Sequence, residues 1–296
     1  MASKRSQLVA AVMRMTMKKK LGKSGDVIKE RETLEKMSAM GSRRTPGKYA
    51  VLGGVPGEWQ EAAAGSRDNV ILYLHGGGYA IGSPITHRDM VGAIADAAQA
   101  RAFIADYRLG PETPFPGAVE DGVAAYKALL ESGEKPEKIT IAGDSAGGGL
   151  TIATLVSLRE QGIELPAAAV CLSPWADLTF SGDSMITKDK VDAMLSRGTL
   201  AWLGDQYLAG QDASHPLASP IFADLSGLPP LLIQVGSEEV LLDDAIRLNK
   251  VALKAGVDST LEVWDGQMHV WQLMSMIVPE GKHAVNVIGN FVKAHT

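Results

Sequence analysis

The chain has 296 residues, enough to bury a large core as one α/β domain with excursions or as two domains. Its 46% hydrophobic and 21% charged residues are ordinary for a globular protein, and a formal net charge of −5 gives no reason to expect nucleic acid or an anionic membrane as the main partner. The single cysteine, Cys171, excludes an intrachain disulfide and, within the apolar run Ala167–Leu172, reads as a small buried hydrophobe.

The basic residues Lys4, Arg5, Arg14 and Lys18–Lys20 surround the apolar run Leu8–Met13. That run is too short and interrupted for a secretory signal, and no window is long and apolar enough to span a membrane. An amphipathic helix over Lys4–Lys20, packed by one face, is expected; a segment lying on a membrane surface or over an active site is the functional alternative. A cytoplasmic location follows as an expectation. A second helix is predicted over Val27–Met40, then a linker at Gly41–Gly47 and short strands near Tyr49–Gly53 and Pro56–Gln60.

From there strands and helices alternate. Val70–Leu74 is a continuous apolar run, as a strand buried on both faces of a parallel sheet requires. A helix near Arg88–Ala100 leads to a strand at Ala102–Asp106, and a helix at Val119–Leu130 leads to the strand Ile139–Ile141. Strands at Ala167–Leu172 and Leu231–Val235 follow, then a helix at Leu241–Lys254, a strand at Thr260–Trp264 and a closing helix at His283–Lys293. About eight mostly parallel strands flanked by helices make a doubly wound α/β sheet. The alternation fails once, at an insertion from Thr179 to about Ser214 with helical pieces around Lys188–Met194 and Leu200–Leu208. At the strand-end face such an insertion is a candidate lid, the alternative being a surface elaboration.

The stretch Gly143-Asp144-Ser145-Ala146-Gly147 lies between a predicted strand and a predicted helix, the context in which G-x-S-x-G marks a nucleophile elbow. Gly143 and Gly147 remove side chains that would collide across the turn. Ser145 would project above the strand end, over free N–H groups at the start of a helix. The motif alone is equally compatible with a plain glycine-rich turn, so its partners decide. His75-Gly76-Gly77-Gly78-Tyr79 follows the third strand, where glycines let backbone N–H groups approach a ligand. Gly77 and Gly78, with Ala146, are candidate oxyanion donors, each worth about 3–4 kcal/mol of barrier. His75, ahead of the glycines, suits holding the loop.

Among the histidines, His87 and His215 fall in predicted loops and His283 and His295 at or near the last helix. His269 alone follows the last strand in a polar loop, where the order serine, acid, histidine requires the base. The acid belongs on the loop Gly236–Val240. Glu238, Glu239, Asp243 and Asp244 compete; the two aspartates suit the acidic first turn of a helix, leaving Glu239 first and Glu238 second.

Taken together, these stretches resemble the bacterial hormone-sensitive lipase-like carboxylesterases of the GDSAG subgroup within the α/β-hydrolase superfamily. The resemblance also draws on Asp106-Tyr107-Arg108-Leu109-Gly110-Pro111-Glu112, Phe115-Pro116 and Glu120-Asp121, and runs from about Tyr49 to the last residue. It implies Ser145 as nucleophile, Glu239 as acid and His269 as base; Asp is usual at the acid position, so the Glu-Glu pair is a departure. It implies that residues 106–121 brace the site, and that segment 1–45 joins insertion 179–213 as a helical cap over a core of 46–178 and 214–296. The expected activity is hydrolysis of small, short-chain carboxylic esters with no metal or cofactor, and a homodimer through the last strand and helix is a further expectation. A noncatalytic small-molecule binding protein, or an amidase or thioesterase on the same residues, are the rival readings.

Overall fold

The computed structural model describes residues 2–22, 24–62 and 68–296; Met1 and Lys23, within the segment expected to join a cap, lie outside the described residues. In chain order, helices α1 (Lys4–Thr16) and α2 (Val27–Gly41) precede strands β1 (Lys48–Leu52), β2 (Val55–Glu61) and β3 (Val70–Leu74). Then α3 (Pro84–Ala98), β4 (Arg101–Ala105), α4 (Gly117–Glu131), β5 (Ile139–Asp144), α5 (Ala146–Glu160) and β6 (Ala168–Leu172) alternate. Short α6 (Ser184–Thr187) and α7 (Arg197–Leu208) interrupt them before β7 (Leu231–Gly236), α8 (Leu242–Lys254), β8 (Ser259–Trp264) and α9 (Pro279–His295).

The sheet has eight strands in the order β1-β2-β4-β3-β5-β6-β7-β8. Pairs β1/β2 and β2/β4 are antiparallel, and every pair from β4/β3 to β7/β8 is parallel. Alternate residues of the central strands feed two cores. Leu72, Leu74, Ile141 and Cys171 pack with Leu150, Leu155 and Leu248 on one side; Ile71, Tyr73, Ile104 and Val170 pack with Met90, Ile94, Val285 and Ile288 on the other. Helices on both faces are what make the unbroken apolar run of β3 stable in water. No helix among the described residues is long and apolar enough to cross a membrane.

Helix α1 ends at Thr16 rather than Lys20 and α9 begins at Pro279 rather than His283, and two further differences from the sequence expectation have a visible cause. Helix α3 begins at Pro84 rather than near Arg88, because Thr86 Oγ1 accepts from the Ser83 N–H (3.0 Å) and Pro84 suits the first helical position. His87 therefore lies inside a helix, buried, and not in a loop. Residues 188–194 form turns instead of a helix. Buried Asp192 explains this: its Oδ1 accepts from the Met194 (2.8 Å) and Leu195 (2.9 Å) N–H groups, a local bond that competes with helix. Its Oδ2 accepts from Val240 N–H (2.9 Å), tying the insertion to the loop after β7.

Candidate active site

The elbow forms where β5 meets α5. Ser145 sits between them at φ 54° and ψ −121°, in the positive-φ region that a non-glycine residue occupies only under constraint. The constraint is visible. Ser145 N–H donates to Leu172 O (2.8 Å), and its carbonyl accepts from Gly148, Gly149 and Trp175 N–H at 3.0, 3.2 and 2.8 Å. A Cβ at Gly147 would stand 1.9 Å from Leu74 O, and one at Gly143 would stand 2.2 Å from Gly147 O, so neither position admits a side chain. Ser145 Oγ makes no hydrogen bond among the described residues, and contacts of this kind often tighten only around a substrate.

Glu239 leaves the end of β7 and His269 the end of β8, two and three strands along the sheet from β5. Glu239 Oε2 lies 2.7 Å from His269 Nδ1, while Oε1 accepts from Ser173 Oγ–H (2.7 Å) and Gly236 N–H (2.6 Å). Ser173 Oγ in turn accepts from Val270 N–H (3.2 Å), so one hydroxyl fixes both the acid and the residue after the histidine. Burial alone would lower the His269 pKa, but the charge and hydrogen bond of Glu239 outweigh it and raise it above 6.5. Glu238 is half-buried and makes no side-chain hydrogen bond among the described residues. Of the two glutamates, only Glu239 meets an imidazole. Asp243 and Asp244 do begin α8, yet their carboxylates reach further: Asp243 accepts from Ser184 N–H (2.8 Å), and Asp244 from Ala176 and Asp177 N–H (both 2.9 Å).

The glycine loop after β3 faces the elbow. Among the described residues the N–H groups of Gly77, Gly78 and Ala146 donate to no protein oxygen, leaving three donors unpaired. Gly77 (φ 123°) and Gly78 (φ 60°) hold backbone conformations that a side chain resists, and a Cβ on Gly78 would meet Leu203 of α7 at 2.6 Å. The preceding Gly76 N–H donates to Asp144 Oδ1 (3.0 Å).

Asp144 is itself fully buried, accepting also from Tyr73 OH (2.8 Å) and lying 3.3 Å from His87 Nε2. Burial opposes both charges, but the pairing holds the Asp144 carboxyl below its ordinary pKa and raises that of His87. His75 stacks between Tyr107 (4.4 Å) and His87 (5.4 Å) and contacts Gly76 O through Nδ1 (2.8 Å). Burial, then the neighbouring His87, lower its pKa to about 3, so it stays neutral. Tyr107 OH donates to His75 O (2.6 Å), Gly110 N–H to Tyr79 O (2.8 Å), and Arg108 is anchored on Asp121; these are the contacts through which residues 106–121 hold the loop. Among the described histidines only His87 and His269 lie within hydrogen-bond distance of a carboxylate.

Sequence reasoning passed over Ser173, Asp192 and the His87–Asp144 couple. Only the place of Ser173 directly after β6 pointed towards the site. A groove of about 560 Å³ runs along the insertion, lined by Phe180, Met185, Ile186, Ser196, Arg197 and Ala201. Phe180 packs on Trp175 (ring centres 6.0 Å apart), whose backbone N–H binds the Ser145 carbonyl. A second groove, about 500 Å³ over α4 and α5, contains none of the candidate catalytic or oxyanion residues. No group of three or more His, Cys, Asp or Glu among the described residues is arranged to hold a metal ion.

A family profile described as alpha/beta hydrolase fold matches residues 71–273. An acetyl-hydrolase of Streptomyces hygroscopicus is 51% identical over 85% of this chain and 84% of its own length. An esterase of Acinetobacter venetianus is 38% identical over 81% of this chain and 79% of its own. Among solved structures, an esterase from the bacterial hormone-sensitive lipase family superposes with a TM-score of 0.93 at 46% identity, covering 100% of this chain and 99% of that one.

Proposed function

The chain belongs to the α/β-hydrolase fold family and is a carboxylic ester hydrolase of the bacterial hormone-sensitive lipase type; on that premise we propose that Ser145, Glu239 and His269 are its catalytic triad. The observations that carry this reading are the buried Glu239–His269 contact and, at the same end of the parallel strands, a serine held at positive φ on a strand-to-helix turn. Glu239 keeps the proton on Nδ1, so Nε2 is free to take the Ser145 proton as Oγ attacks the ester carbonyl. The oxyanion rests on the N–H groups of Gly77, Gly78 and Ala146, and the imidazolium on Glu239. His269 then passes its proton to the leaving alcohol, and water releases the acid from the acyl-enzyme by the same steps in reverse.

Short-chain esters are the proposed substrates, and the acetyl-hydrolase relative supports a small acyl group. Segment 1–45 and insertion 179–213 are proposed to act as a cap: Arg14 donates to Val191 O (2.8 Å) and Lys18 to Asp192 O (2.8 Å), joining the two. Hydrolysis of a nitrophenyl series from acetate to decanoate by the wild type and Ser145→Ala tests the reading. Fast turnover of short esters, abolished in the variant, is expected. Preference for long chains would overturn the substrate class, and undiminished activity in Ser145→Ala the mechanism. Amide and thioester analogues of equal acyl length should turn over far more slowly.

A further inference from the structure

Helix α1 carries a feature that ester hydrolysis does not use. Val9, Ala10 and Met13 pack inward, while Leu8 (67% exposed), Val12 (44%) and Met15 (59%) face outward. Their spacing of four and three residues places them on one stripe of the helix. Lys4 and Arg5 flank the start of the stripe, Lys19 and Lys20 follow its end, and none of the four makes an ion pair among the described residues. Residues 2–22 hold six Lys and Arg and no Asp or Glu, in a chain whose formal net charge is −5. The whole-chain charge conceals this basic segment.

The neighbouring insertion extends the apolar surface. Val191, whose carbonyl accepts from Arg14, is 41% exposed, and Ile186, which also lines the 560 Å³ groove, is 72% exposed. An apolar stripe framed by free cations matches a surface that is apolar within and negative at its boundary.

We propose that α1, with Val191 and Ile186 of the insertion, docks on an anionic phospholipid surface. The apolar side chains enter the headgroup boundary while Lys4, Arg5, Lys19 and Lys20 pair with lipid phosphates. Each cation near such a surface strengthens binding roughly fivefold. The proposal is independent of which residues form the triad.

The test is co-sedimentation of the full chain with phosphatidylcholine vesicles and with vesicles containing phosphatidylglycerol, at low and high salt. The chain should pellet with the anionic vesicles only, and high salt should release it. Arg5→Glu/Lys19→Glu/Lys20→Glu should weaken binding by about a hundredfold or more, and Leu8→Ser/Val12→Ser/Met15→Ser by at least about tenfold. Both variants should hydrolyse a soluble short ester as the wild type does, which shows that they fold. Equal pelleting with neutral vesicles, or wild-type pelleting by either folded variant, would overturn the proposal. So would light scattering that shows a dimer lost in the serine variant, since the stripe would then serve a second copy of the chain.

Discussion

Replacing Glu239 by Gln alters one atom of a fully buried side chain and should nearly stop the reaction. The carboxylate meets three donors: Gly236 N–H and Ser173 Oγ–H at Oε1, and His269 Nδ1 at Oε2. A glutamine keeps an oxygen for the first two but turns an NH₂ towards Nδ1. The imidazole then gains by carrying its proton on Nε2, the tautomer that cannot accept from Ser145. It also loses the negative charge that stabilises imidazolium. By analogy with acid-to-amide changes in other serine triads, kcat should fall about 10⁴-fold, or about 5.4 kcal/mol of barrier. The base works in its neutral form, so wild-type activity should fall as pH drops through a His269 pKa raised above 6.5. In Glu239→Gln the acid limb of the residual activity should move to lower pH. Hydrolysis of nitrophenyl butyrate between pH 5 and 9 measures both effects, with thermal melts to show that the variant is folded. Glu238→Gln, lacking a side-chain hydrogen bond to lose, should change kcat by less than about twofold. A folded Glu239→Gln retaining a tenth of wild-type kcat, or a severe loss in Glu238→Gln alone, would refute the reasoning.

The positive φ at Ser145 should cost about 1–3 kcal/mol, and glycine relieves it where alanine does not. After the larger chain entropy of unfolded glycine is set against this, Ser145→Gly should melt about 2–3 °C above Ser145→Ala, and equal melting would deny the strain. Asp244→Ala leaves the buried Ala176 and Asp177 N–H groups without an acceptor and should cost about 2–6 kcal/mol, whereas Asp244→Asn keeps one. Burial, then the charge of Asp177, push the Asp244 pKa well up. The wild type therefore loses stability as pH rises from the unfolded carboxyl value towards that raised one. Asp244→Asn should gain on the wild type across this span, so melts at pH 4, 6 and 8 that stay a constant distance apart would contradict it. The His87–Asp144 couple should lose stability at both ends of the pH range. The His87 contribution is complete below about 6.5 and lost as pH rises through its raised pKa; that of Asp144 is present above about 3.8 and lost as pH falls through its lowered one. His87→Gln should flatten both slopes in pH-dependent melts, and unchanged slopes would mean that the pair carries no stabilising charge.

Much of the fold was legible because its strands are local signals. Val70–Leu74, Ile139–Ile141 and Leu231–Val235 are short apolar runs between turn residues, and only a sheet covered on both faces accommodates several of them. Candidate positions were legible where backbone geometry restricts residue choice, as at Gly143, Gly147 and the glycines before Tyr79. What could not be read was chemistry decided by partners distant in sequence. His87 looked like a loop residue because the helix start rests on the hydroxyl of Thr86 meeting the backbone of Ser83, and its partner Asp144 lies 57 positions away. Residues 188–194 have helix-compatible composition, but Asp192 spends its carboxylate on its own turn and on Val240. Ser173 shows no motif at all; its meaning depends on Glu239 and Val270 arriving from β7 and β8.

The way the insertion is fastened bears on how such a protein can change. Leu178 N–H donates to Ser219 Oγ (2.7 Å) and Ile221 N–H to Ala176 O (3.3 Å), so the excursion leaves and rejoins the sheet at one knot. A closed excursion is entropically insensitive to its own length, since doubling it costs only about 0.6 kcal/mol. The sheet positions Ser145, Glu239 and His269 through strand pairing that does not pass through the knot. On the proposed cap reading, segments between residues 178 and 219 become exchangeable parts wherever the Asp192 tie to Val240 is kept, so that one chassis could take a different entrance while strand pairing holds the spacing of Ser145, Glu239 and His269.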